Sequence, residues 1–185
     1  MNRRVAFRYA AALMGLAEER NAQDKIAEDF HAFMDTLHGS HELKAVLISP
    51  VISPERKLHV LQELFAKQCD QITMGFMSLI VLKGRAEFLI ATAEEYLAML
   101  DARRNIERAT VSSASPLTAA DQSELERKLA AITGKTIVAT YDVKPELRGG
   151  FVARIGDRLI DASLAHQLDV LREQFRQGGA QAILN

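Results

Sequence analysis

Several groups of residues have the types and spacing that chemistry requires. Arg148-Gly149-Gly150 has the glycine content of a phosphate-binding turn. A phosphate loop, however, needs more glycines and a following helix N-terminus, so that several backbone N–H groups converge on the anion. A strand-like segment follows here instead, and the spacing favours a plain backbone turn. His31, His38 and His41 lie close together in the chain, as metal ligands do. They have no cysteine nearby and do not form His-Glu-x-x-His, and His31 and His38 fall on polar helix positions, so solvated histidines are expected. Ser112, Ser113 and Ser115 lack a neighbouring base, and no Gly-x-Ser-x-Gly elbow occurs. Asp157 reads as a turn residue and Asp161 as a strand end that caps a helix beside Ser163. Cys69, the single cysteine, falls at a helix end, where a packing or exposed role is the default. No nucleophile, base and orienting group come together, and no catalytic constellation or cofactor site emerges.

Composition narrows the function classes further. The chain has 185 residues, with 23 Lys and Arg against 24 Asp and Glu. Basic and acidic residues number 13 and 14 over residues 1–105 and 10 and 10 over the rest. Neither half is therefore basic enough for a general nucleic-acid binder. One cysteine makes no internal disulfide, which suits a reducing compartment. The start Met1-Asn2-Arg3-Arg4-Val5-Ala6-Phe7-Arg8 is basic, but no apolar run of signal-peptide length follows it. The nearly uncharged stretch from Ile72 to Leu82 is about half the length of a membrane span. Membrane association is thus expected only through partners, without direct insertion.

The elements that must position these residues read as helices up to about residue 105. In the first helix Val5, Tyr9, Ala12, Leu13 and Leu16 follow one helix face, and Ala6, Ala10, Ala11 and Ala17 would let another helix approach closely. A second helix opens at Asn21 as N-cap and carries Ile26, Phe30, Phe33, Met34 and Leu37 to Gly39. Ser40 caps a short third helix burying Leu43, Val46 and Leu47. Ser53-Pro54 starts a fourth, with Leu58, Leu61, Leu64 and Phe65 on its apolar face. The fifth, from Ile72 to Leu82, is apolar nearly all round and ends at Gly84, a natural position for a left-handed residue. A sixth, about Ala86 to Arg104, buries Phe88, Leu89, Tyr96 and Leu100.

The period then changes. Ile106 to Ser113 alternates as a strand does, and Ser115-Pro116-Leu117-Thr118 leads into a helix whose Thr118 and Asp121 are placed for a capping box. That helix buries Leu125, Leu129 and Ile132 and stops at Gly134. Thr136 to Val143 is the clearest strand. Phe151 to Ile155 and Leu159 to Ala162 flank the two-residue turn Gly156-Asp157. A last helix follows with Leu164, Leu168, Leu171 and Phe175 in register. The predicted class is α+β: a six-helix N-terminal bundle over 1–105, a small C-terminal α/β domain with a mixed sheet over 106–177, and a flexible tail over 178–185.

Two surfaces remain unusual. If the first and fifth helices lie side by side, Tyr9, Ala12, Met14, Gly75, Phe76 and Leu79 line a groove for a partner's amphipathic helix. The alternative, which periodicity alone favours, is that all six pack inside the bundle. Met74 and Met77 suit an adaptable groove and a plain core equally.

The order of motifs is similar to that of the delta subunits of the rotary F-type ATP synthase, a family that includes the mitochondrial oligomycin-sensitivity-conferring protein. The markers run from Ala6-Phe7-Arg8-Tyr9-Ala10-Ala11-Ala12-Leu13 to Leu47-Ile48-Ser49-Pro50-Val51-Ile52 with Lys57, then Lys83-Gly84-Arg85. Thr110-Val111-Ser112-Ser113-Ala114-Ser115-Pro116-Leu117-Thr118 comes next. Leu147-Arg148-Gly149-Gly150-Phe151, Ile155-Gly156-Asp157 and Ile160-Asp161-Ala162-Ser163-Leu164 close the series. The resemblance covers about Val5 to Phe175 and implies a non-catalytic stator subunit without cofactors. It implies that the groove between the first and fifth helices receives the N-terminal helix of an alpha subunit, among other head subunits. It further implies that the C-terminal domain holds the C-terminal ends of the b subunits, at the cytoplasmic face of a bacterial inner membrane. The alternative class, a helical RNA-binding or antitermination module, would need a basic face.

Overall fold

A computed structural model of the chain describes residues 3–170 and 172. The tail expected over 178–185, together with Leu171 and Phe175 of the last apolar stripe, lies outside the described residues. The chain divides into two compact units between Arg103 and Arg104.

The first unit holds six α-helices: α1 Arg3–Glu19, α2 Gln23–Gly39, α3 His41–Ile48, α4 Pro54–Phe65, α5 Gln71–Leu82 and α6 Leu89–Arg103, with a 3-10 turn at Ala86–Phe88 before the last. Polar caps fix where the helices start. Ser40, Ser53 and Asp70 accept from the N–H groups of Leu43, Arg56 and Ile72, satisfying donors that a helix leaves open at its first turn. Asn21 is not the N-cap that the sequence suggests. It takes φ +51°, and the N–H groups of Asn21 and Ala22 donate to the carbonyls of Glu18 and Ala17. Asn21 therefore closes α1 in a Schellman turn, a role its tolerance of left-handed backbone permits. Gly84 closes α5 in the same way, at φ +68°, with the N–H groups of Gly84 and Arg85 donating to Val81 and Ile80.

The core of this unit runs through Leu13, Met14, Ile26, Phe30, Phe33, Leu61, Met77, Ile80, Leu89 and Tyr96. Edge-to-face ring pairs link α2 to α6 through Phe30 and Tyr96 (5.4 Å between centroids) and to α4 through Phe33 and Phe65 (5.5 Å). Lys57 is buried, and its ammonium donates to the Leu47 carbonyl oxygen at 2.8 Å. A cation is thus held against the carbonyl end of α3, where the helix dipole favours it.

The second unit is a four-stranded mixed sheet in the order β2-β1-β3-β4: β1 Ile106–Ser113, β2 Thr136–Val143, β3 Phe151–Ile155 and β4 Arg158–Asp161. β1 pairs parallel with β2 and antiparallel with β3. A parallel pair needs a crossover, which α7 (Ala119–Thr133) supplies. Its N-terminus carries the expected capping box, with both Thr118 and Asp121 bonds present. Ala109, Val111, Ile137, Ala153 and Ile155 pack with Leu125 and Leu129 of α7 in one core. Residues 164–170 are helical. The six-helix unit and the mixed sheet together are the α+β class that the change of period indicates.

Candidate partner-binding groove

α1 has two apolar faces, and the structure buries the smaller one. Ala6, Ala10, Leu13, Met14 and Ala17 are buried, and the helix packs along α6. Val5, Tyr9, Ala12 and Leu16, which the sequence puts on one helix face with Leu13, lie on the other side from the buried stripe and are half-buried or exposed. Close approach of two helices is easiest where side chains end at Cβ, so the alanines win the inner face and larger groups are left outside. α5 divides similarly. Thr73, Met77, Ile80 and Val81 are buried, while Ile72, Gly75, Phe76 and Leu79 recur at the spacing of a single outer face.

The outer face of α1 borders two hollows, and that of α5 borders the second of them. The first, about 570 Å³, lies among Val5, Arg8, Tyr9, Ala12, Arg85 and Phe88. The second, about 630 Å³, lies among Leu16, Arg20, Asp70, Ile72, Gly75, Phe76 and Leu79. Along α1 the hollows follow in ascending number; across from α1 the first is bordered by Arg85 and Phe88, just beyond the end of α5, and the second by α5 itself. Between the hollows the rings of Tyr9 and Phe76 meet edge to face at 6.4 Å. The guanidinium of Arg85 donates to the Tyr9 hydroxyl at 2.5 Å and stands 5.9 Å from its ring centroid. The Schellman turn at Gly84 is what brings Arg85 back toward α1.

The residues singled out from sequence separate on this geometry. Tyr9 and Ala12 line the first hollow, and Gly75, Phe76 and Leu79 line the second. Leu79 is 50% exposed, and a Cβ at Gly75 would meet nothing within 4 Å, so this stretch of α5 is open. Met14 is a correction. It is fully buried in the core, because it follows Ala10 by four residues on the α6-facing stripe and cannot touch a partner. Arg85 and Leu16 were missed as groove residues. The Lys83-Gly84-Arg85 helix ending is the signal that places Arg85.

The groups considered for chemistry take structural roles. The Cys69 thiol is pushed up to about 11 by burial and by the nearby Asp29 carboxylate, which disfavours the nucleophilic thiolate. Among the described residues no cluster of His, Cys, Asp or Glu is arranged to hold a metal ion. Ser113 donates to the Ser115 carbonyl at 2.7 Å. Asp161 accepts from the Ser163 N–H at 2.9 Å, and Ser163 in turn accepts from the His166 N–H at 3.2 Å. Gly149 and Gly150 sit against Leu164 and Ala162, so Arg148-Gly149-Gly150 is a packing turn. In the same unit Leu164 and Leu168, one helical turn apart, are both about half exposed.

The family model described as ATP synthase delta (OSCP) subunit matches residues 5–175. An ATP synthase subunit delta of Chlorobium luteolum is 40% identical over 165 residues, 89% of this chain and 91% of the relative. That of Syntrophomonas wolfei is 34% identical over 177 residues, 96% of this chain and 97% of the relative. A chain of the Toxoplasma gondii mitochondrial ATP synthase hexamer, solved by cryo-EM, has a TM-score of 0.69 at 22% identity, covering 92% of this chain and 96% of its own. That likeness bears on the fold alone. With both units inside the matched span and sequence relatives of nearly equal length, the chain belongs to the ATP synthase delta (OSCP) subunit family.

Proposed function

We propose that this protein is a non-catalytic stator subunit of an F-type ATP synthase, joining the catalytic head to the peripheral stalk so that the head does not turn with the rotor. In this reading residues 1–105 hold the head and residues 106–177 hold the stalk. The α1/α5 groove takes the N-terminal helix of an alpha subunit. The half-exposed Leu164 and Leu168 mark the surface for the C-terminal ends of the b subunits. No helix among the described residues is long and apolar enough to cross a membrane. The proposed place at the cytoplasmic face of a bacterial inner membrane therefore depends on the complex.

The observation that carries the reading is the outer face of α1 and α5. Tyr9, Ala12, Phe76 and Leu79 are apolar or aromatic and border the two hollows, with Tyr9 and Phe76 half-buried against the core and Ala12 and Leu79 exposed. A stator resists torque without chemistry, so it needs affinity and stiffness. An amphipathic helix laid into the groove removes apolar surface from water at roughly 25 cal/mol per Å², less the cost of ordering it. Holding head and stalk through separate units makes the attachment bivalent, which raises its effective strength without new contacts.

The test is a calorimetric titration of the full chain with a peptide copying the N-terminus of its own organism's alpha subunit. Saturable binding is expected, weakened about tenfold or more by Leu79→Asp or Ala12→Glu. Both positions are open enough for the melting temperature to hold. No binding by the folded protein would contradict the groove assignment.

A further inference from the structure

The two hollows differ in charge. The first is bordered by Arg8 and Arg85 and by no carboxylate. Among the described residues neither arginine is in an ion pair, and Arg85 directs one of its donors to a neutral phenol. The neighbouring Arg3 is already paired with Glu95 at 2.5 Å. The second hollow is balanced, with Arg20 and Asp70 both on its border, although the chain as a whole has a net charge of -1. Two unpaired cations beside an apolar hollow attract an anion, and covering them with an uncharged helix would desolvate charge without compensation.

Spacing adds a second requirement. The hollows centre on α1 near residues 8–9 and near residue 18, about 14 Å apart at 1.5 Å per residue. A partner helix running along the groove would meet the Tyr9–Phe76 rings at its middle and place one apolar side chain in each hollow, two to three turns apart. Building on the groove reading above, we propose that the occupant is an amphipathic helix with two such anchors and a carboxylate at the end overlying Arg8 and Arg85. This carboxylate sets the helix direction in the groove. Arg8 and Arg85 act as specificity residues, and the Tyr9 hydroxyl keeps Arg85 poised at the hollow's edge.

The test uses the full chain and two synthetic peptides: the native alpha-subunit N-terminus, and the same sequence with its Asp and Glu changed to Asn and Gln. The amide peptide is expected to bind about tenfold more weakly. Only the native peptide should lose affinity steeply between about 0.05 and 0.5 M salt. Arg8→Glu with Arg85→Glu should reproduce the loss, and a peptide with Lys at the acidic positions should regain affinity on that variant. Should the double variant melt early, Arg8→Glu alone serves, since Arg8 is exposed. Equal affinity and salt dependence for the native and amide peptides would overturn the charge proposal while leaving the groove assignment standing. Failure of both peptides to bind the folded protein would overturn the two together.

Discussion

Gly150 stands where no side chain fits: a Cβ there would lie 2.2 Å from the Ala162 carbonyl oxygen, at φ +76°. The backbone oxygen cannot retreat as a flexible side chain would, so Gly150→Ala is expected to cost about 2–4 kcal/mol. Chemical denaturation of the C-terminal unit would measure it. Lys57 makes a second residue-scale prediction. Lys57→Met keeps the stem but leaves the Leu47 carbonyl without its donor, and should cost about 1–3 kcal/mol. A loss below a few tenths would show that water replaces the ammonium freely. Cys69 gives a pH dependence. Its folded-state value of about 11 lies above that of an unfolded thiol, so the stability it contributes is full below about pH 8.5 and falls as pH rises toward 11. At pH 8 the native thiol should react with a neutral alkylating reagent about tenfold or more slowly than the denatured one. Equal rates would contradict the half-buried, thiol-favouring environment.

At the scale of elements, α1 carries the lesson about what the sequence can tell. Its helical period is plain, but Val5, Tyr9, Ala12 and Leu16 form as good an apolar stripe as Ala6, Ala10, Leu13, Met14 and Ala17. Size favours the first stripe for the core, and the packing of α1 along α6 favours the second. A helix read alone does not reveal its neighbour's distance, which is why Met14 was misplaced and Leu16 overlooked. The caps were more legible, since Ser40, Ser53 and Thr118 act through hydrogen bonds three residues away. Asn21 was the exception because the same residue type serves N-caps and left-handed helix ends. The paired faces make a contrast that can be measured. Ala12→Glu should leave the thermal melt within about 0.5 kcal/mol of the parent, whereas Met14→Glu buries an unpaired charge and should unfold the first unit. Similar melts for the two variants would mean that the inner and outer faces of α1 are assigned wrongly.

For the molecule as a whole, the change of period near residue 105 was legible because helical and strand spacing differ within a few residues. The pairing of β1 with both β2 and β3 was not, since parallel partners are joined through the distant crossover α7. The glycine turn and the segment Ile160–Leu164 are separate motifs in the sequence, and only the fold shows that they pack on each other. As a proposed two-ended connector, the protein must hold head and stalk at the same time. The most direct measurement is affinity capture of the tagged full chain from detergent-solubilised membranes of its own organism, with alpha and b subunits quantified for the parent and for Leu79→Asp. The account predicts that the parent recovers both subunits together and that Leu79→Asp retains b while losing most of alpha. Recovery of neither subunit by the parent, or undiminished alpha with the variant, would contradict it.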